Sequence, residues 1–378
     1  MASEVLKKGG EVTSEVLGET RGFDFGGMRF GVKAWRASAS DAREGGTLSA
    51  PIVLVHGFAQ QASTWDDAVR LLAGAGAECF GFELAGHGAD ACSAGGDPAE
   101  RPDFFDLCFQ ARALLAFCRV VARDAGVAPV LVGYSMGGRV ALQAACLAAD
   151  DLRDGGDQFG RISLRSSAAF APCDRTDRLD VTGVGQRDTA ATSAGDAVRM
   201  PAAVPFSALI LESAGLGPVD DAAREALRER NFAWAARVRG EGVSAFMDWW
   251  AGLPLFESQR NLDDDQRERL RTGRLANDAE SLALSFEQAG AHQMPLRCES
   301  IRALCELSRR GVSVSYLAGR LDAKYCKVLA DLRADSHDAV SCRAVPCAGH
   351  NIHLEQPEAF GAILEEVVES CTPKPAAP

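Results

Sequence analysis

Short apolar runs alternate with stretches of helical spacing along most of this chain. Residues 51–55, 78–84, 129–133 and 208–211 are brief runs rich in Val, Ile, Leu and Phe, and each reads as a strand buried on both faces. Residues 312–317 and 340–345 read as two more. Between them, 65–72, 105–121, 136–149, 324–332 and 357–368 repeat apolar residues at the spacing of a helix with one buried face. Near the start, 23–35 alternates apolar and polar positions around Gly26-Gly27, the signature of a hairpin. Buried strands alternating with helices predict an α/β fold, a mainly parallel sheet covered on both faces.

Two segments interrupt the alternation. Residues 150–204 are rich in Asp, Arg, Gly, Ser, Ala and Thr with no sustained apolar period, so they are expected to form a disordered surface insertion. Residues 219–308 carry helical spacing without a strand and hold Trp234, Trp249 and Trp250. Following a core strand, they are expected to form a helical lid over the carboxyl edge of the sheet. The core is then 21–218 and 309–378, preceded by a flexible 1–20 and ending in a Pro/Ala-rich 372–378.

With 47% hydrophobic residues in 378 there is material for a large core, and a net charge of −12 argues against a nucleic-acid partner. Twelve cysteines are irregularly spaced; several, such as Cys108, Cys118 and Cys146, fall in apolar helical patterns and read as small buried hydrophobes rather than a disulfide or metal framework. The first residues lack the apolar core of a signal peptide, and no run of 18 apolar residues occurs. The expectation is a reduced cytoplasmic protein, not inserted in a membrane, with no metal or cofactor and with an oligomeric state left open.

The chemistry concentrates at Gly133-Tyr134-Ser135-Met136-Gly137, a G-x-S-x-G step from strand to helix. Such a turn lifts Ser135 clear of the sheet. Arg139, four residues on, shares a helical face with the serine and suggests an anionic substrate. A serine of this kind needs a base and an acid to orient that base. His350, in Ala-Gly-His-Asn after the last strand, is the candidate base. Asp322, in Gly-Arg-Leu-Asp after the strand at 312–317, is the candidate acid, with Glu212 as its competitor. The backbone N–H groups of Phe58 and Met136 would form the oxyanion hole. His56 and His87 are expected to shape loops, His353 to be structural, and His292 and His337 to face solvent.

Longer stretches add a resemblance. Leu-Val-His-Gly-Phe with Trp65, Gly-Tyr-Ser-Met-Gly-Gly-Arg-Val-Ala, Leu-Glu-Ser-Ala-Gly-Leu (211–216), Phe-Met-Asp-Trp-Trp-Ala-Gly-Leu-Pro-Leu-Phe (246–256), Gly-Arg-Leu-Asp-Ala-Lys-Tyr and Ala-Gly-His-Asn stand in order. Together they resemble the 2-succinyl-6-hydroxy-2,4-cyclohexadiene-1-carboxylate synthases, menaquinone-pathway lyases on an α/β-hydrolase scaffold. The match covers roughly 51–149 and 207–368, and the 150–204 insertion departs from it. It implies elimination of pyruvate from a small polycarboxylate, with Ser135 activated by His350 as the base. It also implies carboxylate-binding arginines: Arg139, Arg274, and in the first lid helix Arg228, with Arg224 second. Tyr134 is expected to line the pocket, and Trp249 and Phe256 either to pack on the substrate ring or to fill the lid. Between residues 224 and 274 ten arginines face nine acids, so most of them are expected to be solvated surface pairs. A hydrolase acting on esters or carbon–carbon bonds of a small anionic substrate would use the same triad. A non-catalytic binding module would typically have lost a triad member, and none is missing.

Overall fold

An eight-stranded sheet in the order β1-β2-β4-β3-β5-β6-β7-β8 organises the computed structural model, which describes residues 17–36, 50–73, 77–88, 100–153 and 204–371. Strands β1 (Leu17–Phe25) and β2 (Met28–Arg36) form an antiparallel hairpin turned by Gly26 and Gly27, both at positive φ. Residues 17–20, expected to be flexible, are therefore strand, paired with Lys33–Arg36 in sequence register. From β3 (Ile52–Val55) and β4 (Cys79–Phe82) through β5 (Val130–Tyr134), β6 (Ala208–Glu212), β7 (Ser313–Gly319) and β8 (Ser341–Val345) the pairing is parallel. Register sets Val55 beside Gly133 and Tyr134 beside Glu212, so the carboxyl ends of the central strands converge at one edge.

Helices α1 (Asp66–Ala73), α2 (Leu107–Ala125) and α3 (Met136–Arg153) follow the expected pattern, α3 running on into the 150–204 segment. The remainder of that segment, apart from Val204, and residues 372–378 lie outside the described residues. One face of the sheet packs Phe23, Phe30, Phe82, Phe117 and Tyr316 against α2 and α3. The other packs Ile52, Leu54, Trp65 and Phe360 against α1 and the last helix. Full burial of each such side chain stabilises by about 1.5–3 kcal/mol relative to exposure.

The segment after β6 is helical throughout: α4 (Asp221–Ala251), a 3-10 stretch at Pro254–Asn261, α5 (Asp264–Leu275), α6 (Ala279–Gln288) and α7 (Arg297–Arg309). Asp220 caps α4 and an Asp263–Gln266 capping box starts α5. Gly242 breaks α4 at φ 78 and ψ 165, dividing it into two helices. Phe246, Trp250, Phe256 and Phe286 form a core of their own that rests on Phe58 and Ala59. Helix α7, read from the sequence as the end of the lid, instead contributes Ile301, Leu304 and Leu307 to the core beside α3. After β7 come α8 (Ala323–Asp335), α9 (Ile352–Glu355) and α10 (Pro357–Cys371).

Candidate active site

The turn after β5 is too tight for side chains at its flanks. A Cβ on Gly133 would lie 2.6 Å from the Gly137 carbonyl oxygen, and one on Gly137 would lie 2.3 Å from that of Val55. Ser135 itself sits at φ 50, a left-handed conformation that non-glycine residues rarely hold, with its N–H given to Glu212 O at 2.9 Å. Its hydroxyl therefore stands at the sheet edge. His350 Nδ1 is 2.8 Å from Asp322 Oδ2, and Nε2 is 3.1 Å from Ser135 Oγ. With Nδ1–H donating to the carboxylate, Nε2 is left to accept the serine proton. Burial pulls the His350 pKa below its ordinary value while the hydrogen bond to Asp322 opposes the shift, so the imidazole is neutral near neutral pH.

Two other carboxylates hold the loop that carries His350. Glu355 accepts from Gly349 N at 2.7 Å and Asn351 N at 3.2 Å. Glu212 accepts from Ile352 N at 2.6 Å and His353 N at 3.1 Å, and its second oxygen meets His353 Nδ1 at 2.8 Å. Glu212, the alternative acid, thus faces His353 and not His350. His353 also stacks on Trp65, ring centroids 3.7 Å apart. Neither the Phe58 nor the Met136 backbone N–H donates a hydrogen bond among the described residues, so both remain available to an anionic oxygen.

Aromatic rings wall the serine side of the lid. Phe256 meets His350 edge-on at 5.7 Å, and Trp250 lies 5.7 Å from Phe256 and 5.0 Å from Phe58. Tyr134 is buried with its ring 5.4 Å from His350. Trp249, expected either on the substrate ring or filling the lid, lies beneath the Arg237 guanidinium at 4.0 Å and packs on the lid core. Adjacent positions on a helix point about 100° apart, so only one of the pair can face the site, and it is Trp250.

The arginines separate sharply. Of the ten between residues 224 and 274, eight pair with a carboxylate: Arg224, Arg228, Arg237, Arg239, Arg260, Arg267, Arg269 and Arg271. Arg228, expected to bind a substrate carboxylate, is exposed and bound to Glu225. Arg224 is held by the carbonyls of His292 and Met294 at 2.7 and 2.8 Å. Among the described residues Arg230 and Arg274 have no acidic partner, and neither does Arg139 on α3. Arg274 has 6% exposure, touches only Gln259 Oε1 at 3.2 Å, and lies over Phe256 at 5.3 Å. Burial pushes Arg139 and Arg274 each down to about 10, and it lowers Arg230 as well. A cavity of about 560 Å³ between α1 and α5, lined by Gln61, Thr64, Leu270 and Gly273, reaches Arg274.

Residues 52–363 match the model of the alpha/beta hydrolase family. The chain belongs to that family. An Escherichia coli O157:H7 (strain EC4115) protein named 2-succinyl-6-hydroxy-2,4-cyclohexadiene-1-carboxylate synthase is 26% identical over 317 residues, 84% of this chain and 93% of that one. A Bacillus subtilis (strain 168) protein provisionally given the same name is 32% identical over 166 residues, covering 43% of this chain and 57% of that protein. The match thus spans little more than half of the B. subtilis relative. The solved structure of MenH from S. aureus superposes with a TM-score of 0.62 at 21% identity, covering 90% of this chain and 98% of that one.

As an alpha/beta hydrolase, the chain places its remaining histidines in supporting roles. His56 Nδ1 lies 2.8 Å from Gly57 O and His87 Nδ1 lies 2.9 Å from Ala85 O, both rings fully buried. His337 is exposed. His292, expected in solvent, is 5% exposed and meets the Asn231 amide at 2.9 Å, because the inner face of α4 closes over it. Arg230, not singled out in the sequence, is a further half-buried arginine of the lid with no acidic partner among the described residues. It stacks on Trp234 at 4.5 Å while Arg228 is exposed, although the two positions lie on either side of the face marked by Asn231, Ala235 and Val238.

Proposed function

We propose that this alpha/beta hydrolase is a carbon–oxygen lyase. It would eliminate pyruvate from 2-succinyl-5-enolpyruvyl-6-hydroxy-3-cyclohexene-1-carboxylate to give 2-succinyl-6-hydroxy-2,4-cyclohexadiene-1-carboxylate. The observation that carries the reading is a complete Ser-His-Asp arrangement together with three arginines, Arg139, Arg230 and Arg274, that have no acidic partner among the described residues. A substrate with three carboxylates supplies the missing anions. Arginine suits this because its planar fork binds carboxylates bidentately. The names of the E. coli and B. subtilis relatives support the same reaction.

In this reading His350 takes the Ser135 proton as Ser135 abstracts the proton α to the succinyl ketone. The electron pair enters the conjugated system, the ring carbon–oxygen bond breaks, and the enolpyruvyl group leaves, to be protonated as pyruvate. The N–H groups of Phe58 and Met136 would hold the enolate oxygen, which needs the same donors as a tetrahedral intermediate. Asp322 keeps the imidazole in the productive tautomer, Tyr134 and Phe256 line the pocket, and Trp250 takes the ring-packing role, one of the two expected for Trp249. General-base catalysis of this type contributes roughly 10²–10⁴-fold.

The decisive assay incubates purified protein with the enolpyruvyl substrate and follows pyruvate. Release of pyruvate at a rate abolished by Ser135→Ala is expected. Turnover of aryl esters with no pyruvate from the enolpyruvyl compound would replace the lyase with an ester hydrolase.

A further inference from the structure

Tyr325 closes the Asp-Ala-Lys-Tyr step of the sequence and has no part in the chemistry above. Its backbone N–H donates to Asp322 Oδ1 at 3.0 Å, so the carboxylate that orients His350 also fixes this residue. The ring lies against the imidazole, centroids 4.8 Å apart, and the residue is 7% exposed. Buried tyrosines usually find a partner for the hydroxyl. Tyr316 does, donating to Ala214 O at 2.7 Å. The Tyr325 hydroxyl makes no hydrogen bond among the described residues. A phenylalanine here would keep the ring contact without leaving a polar atom unmatched.

The hydroxyl's surroundings indicate what it is for. Arg139 stands one turn of α3 beyond Ser135, whose hydroxyl faces His350, and the Tyr325 ring packs on that imidazole. The phenol thus stands beside the base, and its field favours the charged forms of Arg139 and Arg230, which have no acidic partner among the described residues. A guanidinium can only donate, so it offers the phenol O–H no acceptor, and that O–H is left to point at a third group. The third group best matched to two cations and an O–H donor is a carboxylate.

We propose that Tyr325 Oη donates a hydrogen bond to the substrate carboxylate held by Arg139 and Arg230, which makes it a specificity-determining residue of this site. The contact is non-covalent, and no bond breaks at Tyr325. The inference rests on the reading of the site as one for a polycarboxylate, and it predicts a preference that does not depend on which reaction follows.

The test uses the full chain and the Tyr325→Phe variant, which removes a single oxygen. Ser135 is labelled with a fluorophosphonate while tricarballylate, a simple tricarboxylate, competes for the site. The concentration of tricarballylate that halves the labelling rate is the readout, because any change in the reactivity of the serine itself cancels from it. Tricarballylate should protect the wild type, and the half-protecting concentration should rise about 10-fold or more in Tyr325→Phe, as for loss of a hydrogen bond to a charged group. Thermal midpoints of the two proteins should agree. Absence of protection in the wild type, or half-protecting concentrations within twofold of each other, would overturn the proposal. Pyruvate release by the wild type is scored separately, so failure of the lyase reading leaves this result standing on its own.

Discussion

Arg228 and Arg230 are two positions apart on α4, yet they live in different environments. Arg228 is exposed and clasped by Glu225 within the same helix, and the lid's other outward arginines are likewise paired with acids. Surface pairs of this kind add little to stability, being screened by water and salt. Arg230 is half-buried, stacks on Trp234 at 4.5 Å, feels the Tyr325 phenol electrostatically, and has no carboxylate partner among the described residues. Burying arginines near one another is unfavourable, and among the described residues no carboxylate offsets it. The difference between the faces teaches where to look for function. On the outside, charges are matched within the protein; on the inside, the protein leaves the match to a ligand.

Ser135→Ala gives the largest expected effect in either region. If the hydroxyl transfers the proton, kcat for pyruvate release should fall by roughly 10³-fold or more, as in other triads. Activity within tenfold of wild type would show that the arginines serve a site with different chemistry. The next effect tests the contrast directly. Arg230→Ala, Arg139→Ala and Arg274→Ala should each cost about 2–5 kcal/mol in kcat/KM, the range for removing one partner of a buried charge pair. Arg228→Ala should stay within about twofold of wild type. Equal losses at 228 and 230, measured by steady-state kinetics, would erase the distinction between the faces.

Most of the sheet was legible because its strands are short apolar runs between helical periods, and the triad was legible because its members follow strand ends in a fixed order. Ser135, Asp322 and His350 needed no contact information to be named. The lid was harder for a physical reason. Its arginines and acids nearly balance over residues 224–274, so composition does not show which cation lacks a partner. The answer depends on where each side chain packs: Arg228 is exposed while Arg230 is half-buried, and Trp249 packs on the lid core, the second of the two roles expected for it, while Trp250 lies nearer Phe58 and Phe256. Gly242 adds to the difficulty. It breaks the period of α4 between those two sites, and a single unbroken helix cannot be phased across it.

That break gives a smaller prediction. Gly242 occupies a backbone region open essentially only to glycine, and a Cβ there would meet no atom within 4 Å. Gly242→Ala should therefore cost about 1–3 kcal/mol through backbone strain alone. The first half of α4 carries Arg230 and the second half Trp250, so a strained joint should misplace one relative to the other. KM for the polycarboxylate should rise, while the labelling rate of Ser135, which depends on the triad, should change less. A variant with unchanged thermal midpoint and unchanged KM would mean that the two halves are set by their packing and not by the joint.

The smallest effect concerns how an outer charge reaches the inner base. Catalysis needs His350 neutral, and burial lowers its pKa, so activity should persist below the pH at which an ordinary histidine gains its proton. The group is charged below its pKa, hence kcat/KM should fall as pH drops through the lowered value and stay level above it. Lys324, exposed at the start of α8, pushes the same pKa down by repelling the imidazolium. Lys324→Ala should therefore move the acid limb to higher pH, by a few tenths given screening at the surface. Added salt should move the wild-type limb the same way and leave the variant's nearly fixed. The bound substrate acts oppositely to the lysine: its carboxylates favour the imidazolium, so the limb of kcat should lie above that of kcat/KM. In Arg230→Ala, with one inner cation fewer to neutralise those carboxylates, the gap between the two limbs should widen. A gap that narrows would mean that Arg230 does not face the bound anion.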